Sequence, residues 1–285
     1  RHLANPGLDT GADAVPLALT DGDVMFTTDG FTVQPLEFPG GNIGALAVHG
    51  TTNDLAVAGA EPLYLSLNAF IEEGLQVALL DRIVATLAET ATAVGVRVVA
   101  GDTKVLRRGE GSGLYLATTG VGLRSAGVHL GLDRIRSGDC ILVSGPIGMH
   151  GVAVLSVRDG LEFGTEIRSD CQPVTSLVTG MLAAGVDVHV LRDPTRGGVA
   201  ACLNEIAASS GRSRYAWAIP SPSSRAIVHA PAVPSILWRV RSLLLLLFVG
   251  YPNVAILARV SRASRAPARR GVLRRRNRAL RGPAA

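Results

Sequence analysis

After Glu205 the chain contains no carboxylate. All 23 acidic residues fall within residues 1–210 against 13 basic ones, a net charge of −10, while the last 75 residues hold 15 arginines and no Asp, Glu or Lys, a charge of +15. A folded domain is about a quarter charged, with both signs interspersed. One evenly built fold running through residue 210 is therefore not what this sequence describes, and the overall +5 is a cancellation rather than a basic surface. The change of composition predicts a shift of reading frame near codon 210 in GC-rich DNA, and a tail that is poorly ordered or packs badly and tends to aggregate. Leu243–Ala258 is apolar but short of the ~20 residues of a membrane span. The arginines of 259–281 have no interleaved aromatics and no recognisable fold, so neither a membrane nor a nucleic-acid role is expected.

Residues 1–210 read as a globular α/β chain. Glycine is abundant (33 residues) and aromatics are scarce (4%), which suits an Ala/Val/Leu core with many tight turns. Three cysteines, Cys140, Cys171 and Cys202, lack metal-ligand spacing, and their odd number without a signal peptide predicts a reducing cytoplasm. Strands are expected at Asp23–Gly30, Pro62–Phe70, Val98–Val99, Leu114–Thr119 and Cys140–Gly145. Phe38–Asn42 reads as a turn. Ile43–Ala60 reads as a helix in two pieces broken near Gly50. Asp81–Val94 reads as an amphipathic helix capped by Asp81 and closed by Gly95. Asp193–Val199 is a loop feeding a helix with Val199, Leu203 and Ile206 on one face. Three segments follow: 1–128, 129–210 and the tail 211–285.

Val98–Arg108, VVAGDTKVLRR, is the most informative stretch. It reads as a buried strand entering a Gly-Asp turn, with Asp102 at the strand end where open α/β sheets place ligands. Lys104 is the only lysine in the chain. Unlike arginine it can lose its proton when desolvated and act as acid or base; otherwise it serves as a point charge beside phosphate, or as a solvated turn charge. No Walker-type phosphate loop is present and no dinucleotide fingerprint. The other way to grip a polyphosphate is through carboxylates on a divalent cation. Asp13, Asp29, Asp54 and Asp102, each beside small residues at the edge of an element, suit that scheme; four unrelated surface aspartates would look the same in sequence.

TTDGFTVQPLEFPGGNIGALAVHGTTNDLAVAGAEPLYLSLNAFIEEGL, VVAGDTKVLRRG and DPTRGGVAACLNEIA together resemble the HypE family of hydrogenase maturation proteins. That family lies within the PurM-like ATP-dependent superfamily, with aminoimidazole ribonucleotide synthetase, selenophosphate synthetase and thiamine-monophosphate kinase. The resemblance covers roughly residues 5–210. It implies a two-domain α/β (α+β) fold, a homodimer through the amino-terminal half, and ATP with Mg²⁺ in a cleft near the dimer interface. By resemblance, Asp13, Asp29, Asp54 and Asp102 match metal and nucleotide positions, with Asn53 and Thr103 beside two of them. Asp193, Thr195, Arg196, Gly197 and Gly198 match the second-domain motif at a helix start, where backbone N–H groups suit an anion. The implied reaction is an ATP-dependent dehydration of a protein S-carboxamide to a thiocyanate, the source of the cyanide ligands of [NiFe]-hydrogenase. The implied partners are a HypF-like carbamoyltransferase and a HypC–HypD complex. Lys104 becomes the candidate for the base or its orienting partner if burial lowers its pKa, the alternative being that it only neutralises phosphate charge.

The chain also departs from the family. It begins at Arg1 without the Gly-rich segment that helps cover the nucleotide, and beyond 210 it lacks the acidic NEG-type motif and terminal cysteine. It is therefore expected to be inactive as written. The alternatives are a non-catalytic nucleotide-binding remnant that still docks partners, and another PurM-like kinase or synthetase.

Overall fold

The computed structural model describes residues 23–136, 139–195, 197–209, 227–228 and 255–258; of Ser209 and the last two stretches it describes the backbone alone. Asp13, Arg196, the apolar run before Ala255 and the Arg-rich end lie outside these residues.

Strand β1 (Asp23–Phe31) is followed by the short pair β2 (Glu37–Phe38) and β3 (Gly41–Asn42), which makes the expected turn a small hairpin. Helix α1 (Ile43–Val57) starts there, its first amides accepted by the Asn42 side chain, 2.9 Å from the Gly44 N–H. It runs unbroken through Gly50, against the two-piece expectation. The reason is packing: a Cβ on Gly50 would lie 2.7 Å from the Phe31 ring, so glycine here permits close approach of helix to sheet rather than a break. Strand β4 (Ala60–Glu72) then leads through α2 (Val77–Val94) to the parallel strand β5 (Arg97–Leu106), a βαβ unit. Helix α2 begins before Asp81, with Gln76 at its cap position, and ends as expected at left-handed Gly95. Its Ile83, Leu87 and Ala91 bury one face.

Strand β5 also departs from its sequence reading. Gly101-Asp102 is no turn: the strand continues to Leu106, paired with β4 along its length. A Cβ on Gly101 would run into the Leu67 carbonyl, so this glycine also serves close backbone approach. Strand β6 (Leu114–Arg124) completes a four-stranded sheet in the order β1-β6-β4-β5. One face, carrying Phe31, Leu65, Val98, Leu114 and Leu116, packs on Ile43, Leu46, Ala47 and Val48 of α1 and Ile83 and Leu87 of α2. Among the described residues no helix lies over the other face, and Val24 and Phe26 stand 52% and 69% exposed there.

The second layer holds a 3-10 turn (Leu132–Arg134), β7 (Cys140–Val143), α3 (Met149–Arg158), α4 (Thr175–Ala183), β8 (Val188–Arg192) and α5 (Gly198–Ser209), with Val199, Leu203 and Ile206 of α5 buried as expected. Two short strands from beyond residue 210 join it: β9 (Ile227–Val228) and β10 (Ala255–Ala258). The sheet order is β8-β10-β7-β9, so β10 lies between β7 and β8 and pairs antiparallel with both. These two stretches take part in the sheet, while the rest of the tail, to which the expectation of poor order or packing applies, lies outside the described residues. Among the described residues no helix is long and apolar enough to cross a membrane.

Candidate functional site between the two layers

Strand alternation decides which aspartates meet. Thr27, Asp29 and Phe31 share the helix-covered face of β1, with Phe31 in the core. Asp29 Oδ2 lies against α1 at Gly50, and its Oδ1 accepts the Gly30 N–H at 3.0 Å. On α1, one turn further along, Asp54 Oδ2 accepts a hydrogen bond from Thr27 Oγ1 at 3.1 Å. Thr27 was missed in the sequence, although its place two residues before Asp29 puts it on the same strand face. Opposite stands Asp193, just past β8. These groups line a cavity of about 610 Å³, with Thr28 and Thr195 beside them and Met25, Leu55, Leu130 and Leu132 as apolar wall.

Asp193 is the unusual group. Its Oδ2 is sealed from solvent and finds no hydrogen-bond donor. Burial, and then the charge and hydrogen-bond reach of the Asp54 carboxylate, push its pKa up to about 8. Two carboxyl groups held in contact repel unless a proton or a cation lies between them. Thr195 N–H donates to the Asp193 carbonyl at 2.9 Å, Gly198 N–H to the Thr195 carbonyl at 3.2 Å, and α5 begins at Gly198 with Gly197 in the left-handed region. The loop thus delivers the start of α5 beside the cavity that Thr195 lines.

The remaining expected residues lie elsewhere. Asn53 is fully buried, with its Nδ2 donating to the Gln172 carbonyl at 3.1 Å and its Oδ1 accepting from the Val174 N–H at 2.9 Å. Asp102 pairs across the sheet with Asn68, in the row of Ala117 and Gly30, and Lys104 with Phe70, in the row of Tyr115, both on the face away from the helices. Asp102 is not among the residues lining the cavity. It accepts the Thr103 N–H at 2.8 Å and pairs with Lys104 Nζ at 2.5 Å, and the Lys104 partnership holds its pKa below the usual carboxylate range. The Lys104 side chain is 62% exposed, so the desolvation a lysine base requires is absent within a single chain. Among the described residues no three His, Cys, Asp or Glu side chains gather closely enough to hold a metal ion. Cys171 and Cys202 are equally quiet: burial raises the Cys171 thiol to about 12 and the Cys202 thiol to about 11.

Two layers of mixed helix and sheet, with a carboxylate-lined cavity at their junction, define the class. The amino-terminal domain model of AIR synthase related proteins matches residues 11–124, and the corresponding carboxyl-terminal domain model matches 136–215. The fold is thus the two-domain PurM-like one. The carbamoyl dehydratase HypE of Azotobacter vinelandii is 51% identical over 211 residues, 74% of this chain and 62% of that protein. The chain thus spans a little under two thirds of the length of that curated relative. A crystal structure of hydrogenase maturation protein HypE in complex with ATP superposes with a TM-score of 0.75 at 40% identity, covering 90% of this chain and 74% of that one. A HypE–HypF complex superposes at 0.69 with 38% identity, covering 84% and 77%. The chain belongs to the AIR synthase related family, in its HypE branch.

Proposed function

We propose that this chain is the nucleotide-binding body of a HypE-type carbamoyl dehydratase, and that ATP with Mg²⁺ binds in the cavity between the layers. The observation that carries this is a cavity lined by both Asp54 and Asp193, where one Asp193 carboxylate oxygen is buried without a donor. A divalent cation would relieve the repulsion between the two carboxylates, and bound there it would neutralise phosphate charge. Asp54 and Asp193 would hold it, with Asp29 lining the same wall. Thr27 fixes the Asp54 carboxylate through its hydroxyl. Gly197 and Gly198 present the start of α5 to an anion. The relative solved with ATP supports the nucleotide, and the one solved with HypF supports a HypF-like carbamoyltransferase as partner. A HypC–HypD complex as the acceptor of the product follows from the same family reading. The domains would divide near residue 128.

A homodimer belongs to this reading. The open face of the first sheet carries Val24 and Phe26, paired with Leu123 and Val121, and shares its side with Asp102, Thr119 and Lys104. A second copy laid on it would cover that apolar patch and desolvate Lys104, the condition its role as a base requires. The cytoplasm is the proposed compartment.

Isothermal titration of the chain with ATP in the presence of Mg²⁺ tests the site. Saturable binding is expected, weakened about 10-fold or more by Asp54→Asn and much less by Asp102→Ala. Equal loss in the two variants would refute the assignment. A second reading, nucleotide binding without chemistry, is favoured by the raised thiols and the exposed Lys104. Formation of thiocyanate from a carbamoylated thiol would exclude it.

A further inference from the structure

Asn53 and Asp54 are consecutive on α1 and point into different surroundings. Asp54 reaches the cavity; Asn53 points into the chain segment that precedes α4, between Gln172 and Val174. Each end of its amide meets its complement, a carbonyl for the Nδ2 and an N–H for the Oδ1, so the side chain spans two main-chain groups and has one orientation. It is 0% exposed, where a lost partner is costly. The segment it grips is tied down nearby as well: Ser169 N–H donates to the Pro39 carbonyl at 2.7 Å, and Asp170 accepts the His150 N–H at 2.9 Å.

From Val174 the path to Asp193 is short and solid. Val174 and Val178 pack with Val188 and Leu191 of β8 and with Ala56 of α1 in one buried cluster. Asp193 follows Leu191 by two residues. The separation of Asp54 from Asp193 is therefore set by how α1 is keyed to the segment before α4, and Asn53 is the polar key. We infer that Asn53 is a positioning residue, which holds the 172–174 backbone on α1 and thereby fixes where Asp193 meets Asp54. This rests on the reading of that pair as the cation and nucleotide site.

The test uses the whole chain and three proteins: wild type, Asn53→Ala, and Leu87→Ala, a core change in α2 that lowers stability and lies outside the cluster joining Val174 to β8. ATP affinity is measured with Mg²⁺ and with chelator, and hydrogen exchange is followed at the Val174 amide. Asn53→Ala is expected to speed that exchange and to weaken binding about 10-fold with Mg²⁺, with a far smaller change in chelator. Leu87→Ala is expected to lower the melting temperature and leave affinity at 20–25 °C within about 2-fold. If Asn53→Ala does not fold, Asn53→Ser, whose hydroxyl cannot span both main-chain groups, is read in the same way. Faster exchange at Val174 with unchanged Mg²⁺-dependent affinity would overturn the inference, because the tether would exist without positioning anything. A slow Val174 amide in a wild-type protein that takes up no Mg²⁺–ATP would overturn the site reading, and the inference with it.

Discussion

His49 and His150 are neutral side chains folded into the junction of the layers. Burial holds both at about 4, against an ordinary 6.5, and His150 also stacks edge-on against Phe38 with ring centroids 5.0 Å apart. A folded pKa below the unfolded one favours the folded state fully above about pH 6.5, and that contribution is lost as pH falls from there towards 4. The size is on the order of 2–3 kcal/mol for each histidine. The melting temperature should therefore fall between pH 7 and pH 4.5. His49→Leu should flatten that slope, since the His49 Nδ1 has no partner to lose. Thermal melts across this range check it, and an unchanged slope in the variant would contradict the assignment.

Helix α1 and strand β5 are the elements whose sequence reading failed in an instructive way. Both contain a glycine that reads as a break and acts as a point of close approach. Gly50→Ala sets a methyl against the Phe31 ring and should cost about 1–3 kcal/mol despite the better helix propensity of alanine. Gly101→Ala should cost at least as much, because its methyl meets backbone, the Leu67 carbonyl, which cannot rotate away. Denaturant unfolding of the two variants decides it; a stabilised Gly50→Ala would restore the view of Gly50 as a mere helix defect. Local sequence cannot tell the two uses of glycine apart, because the colliding group comes from a strand distant in the chain.

At the scale of the molecule, the second sheet depends on Ala255–Ala258, which separates β7 from β8. A chain ending at residue 210 would leave both strands with unpaired edges facing one another. It should be less soluble and melt lower than the full chain, as light scattering and calorimetry would show; equal behaviour would mean that β10 adds nothing. The open face of the first sheet makes a separate prediction. Phe26→Asp should convert a dimer to a monomer in sedimentation velocity with the circular dichroism spectrum preserved, and a wild-type monomer at micromolar concentration would remove the dimer from the proposal.

The sequence by itself determined most elements of the first layer, the helix after Asp193, several faces that become core, and the family. Alternating and helical hydrophobic periods are local, and the long motifs survive as contiguous text. It also named Asp29, Asp54 and Asp193, because each stands at the end of a recognisable motif. What it could not decide was company. Asp102 sits in the most informative stretch, yet a bulge at Val99 reverses the alternation after Val98 and, with the four-strand order, puts it on the open face, away from Asp29. Asp193 was read as an anion-loop residue, and folding set its carboxylate against Asp54. Asn53 was read beside Asp54 as a phosphate contact, and the fold turned its amide onto the backbone of residues 172–174. Each of these outcomes depends on distances between chain segments far apart in sequence, which only the packing of α1 between the two layers fixes.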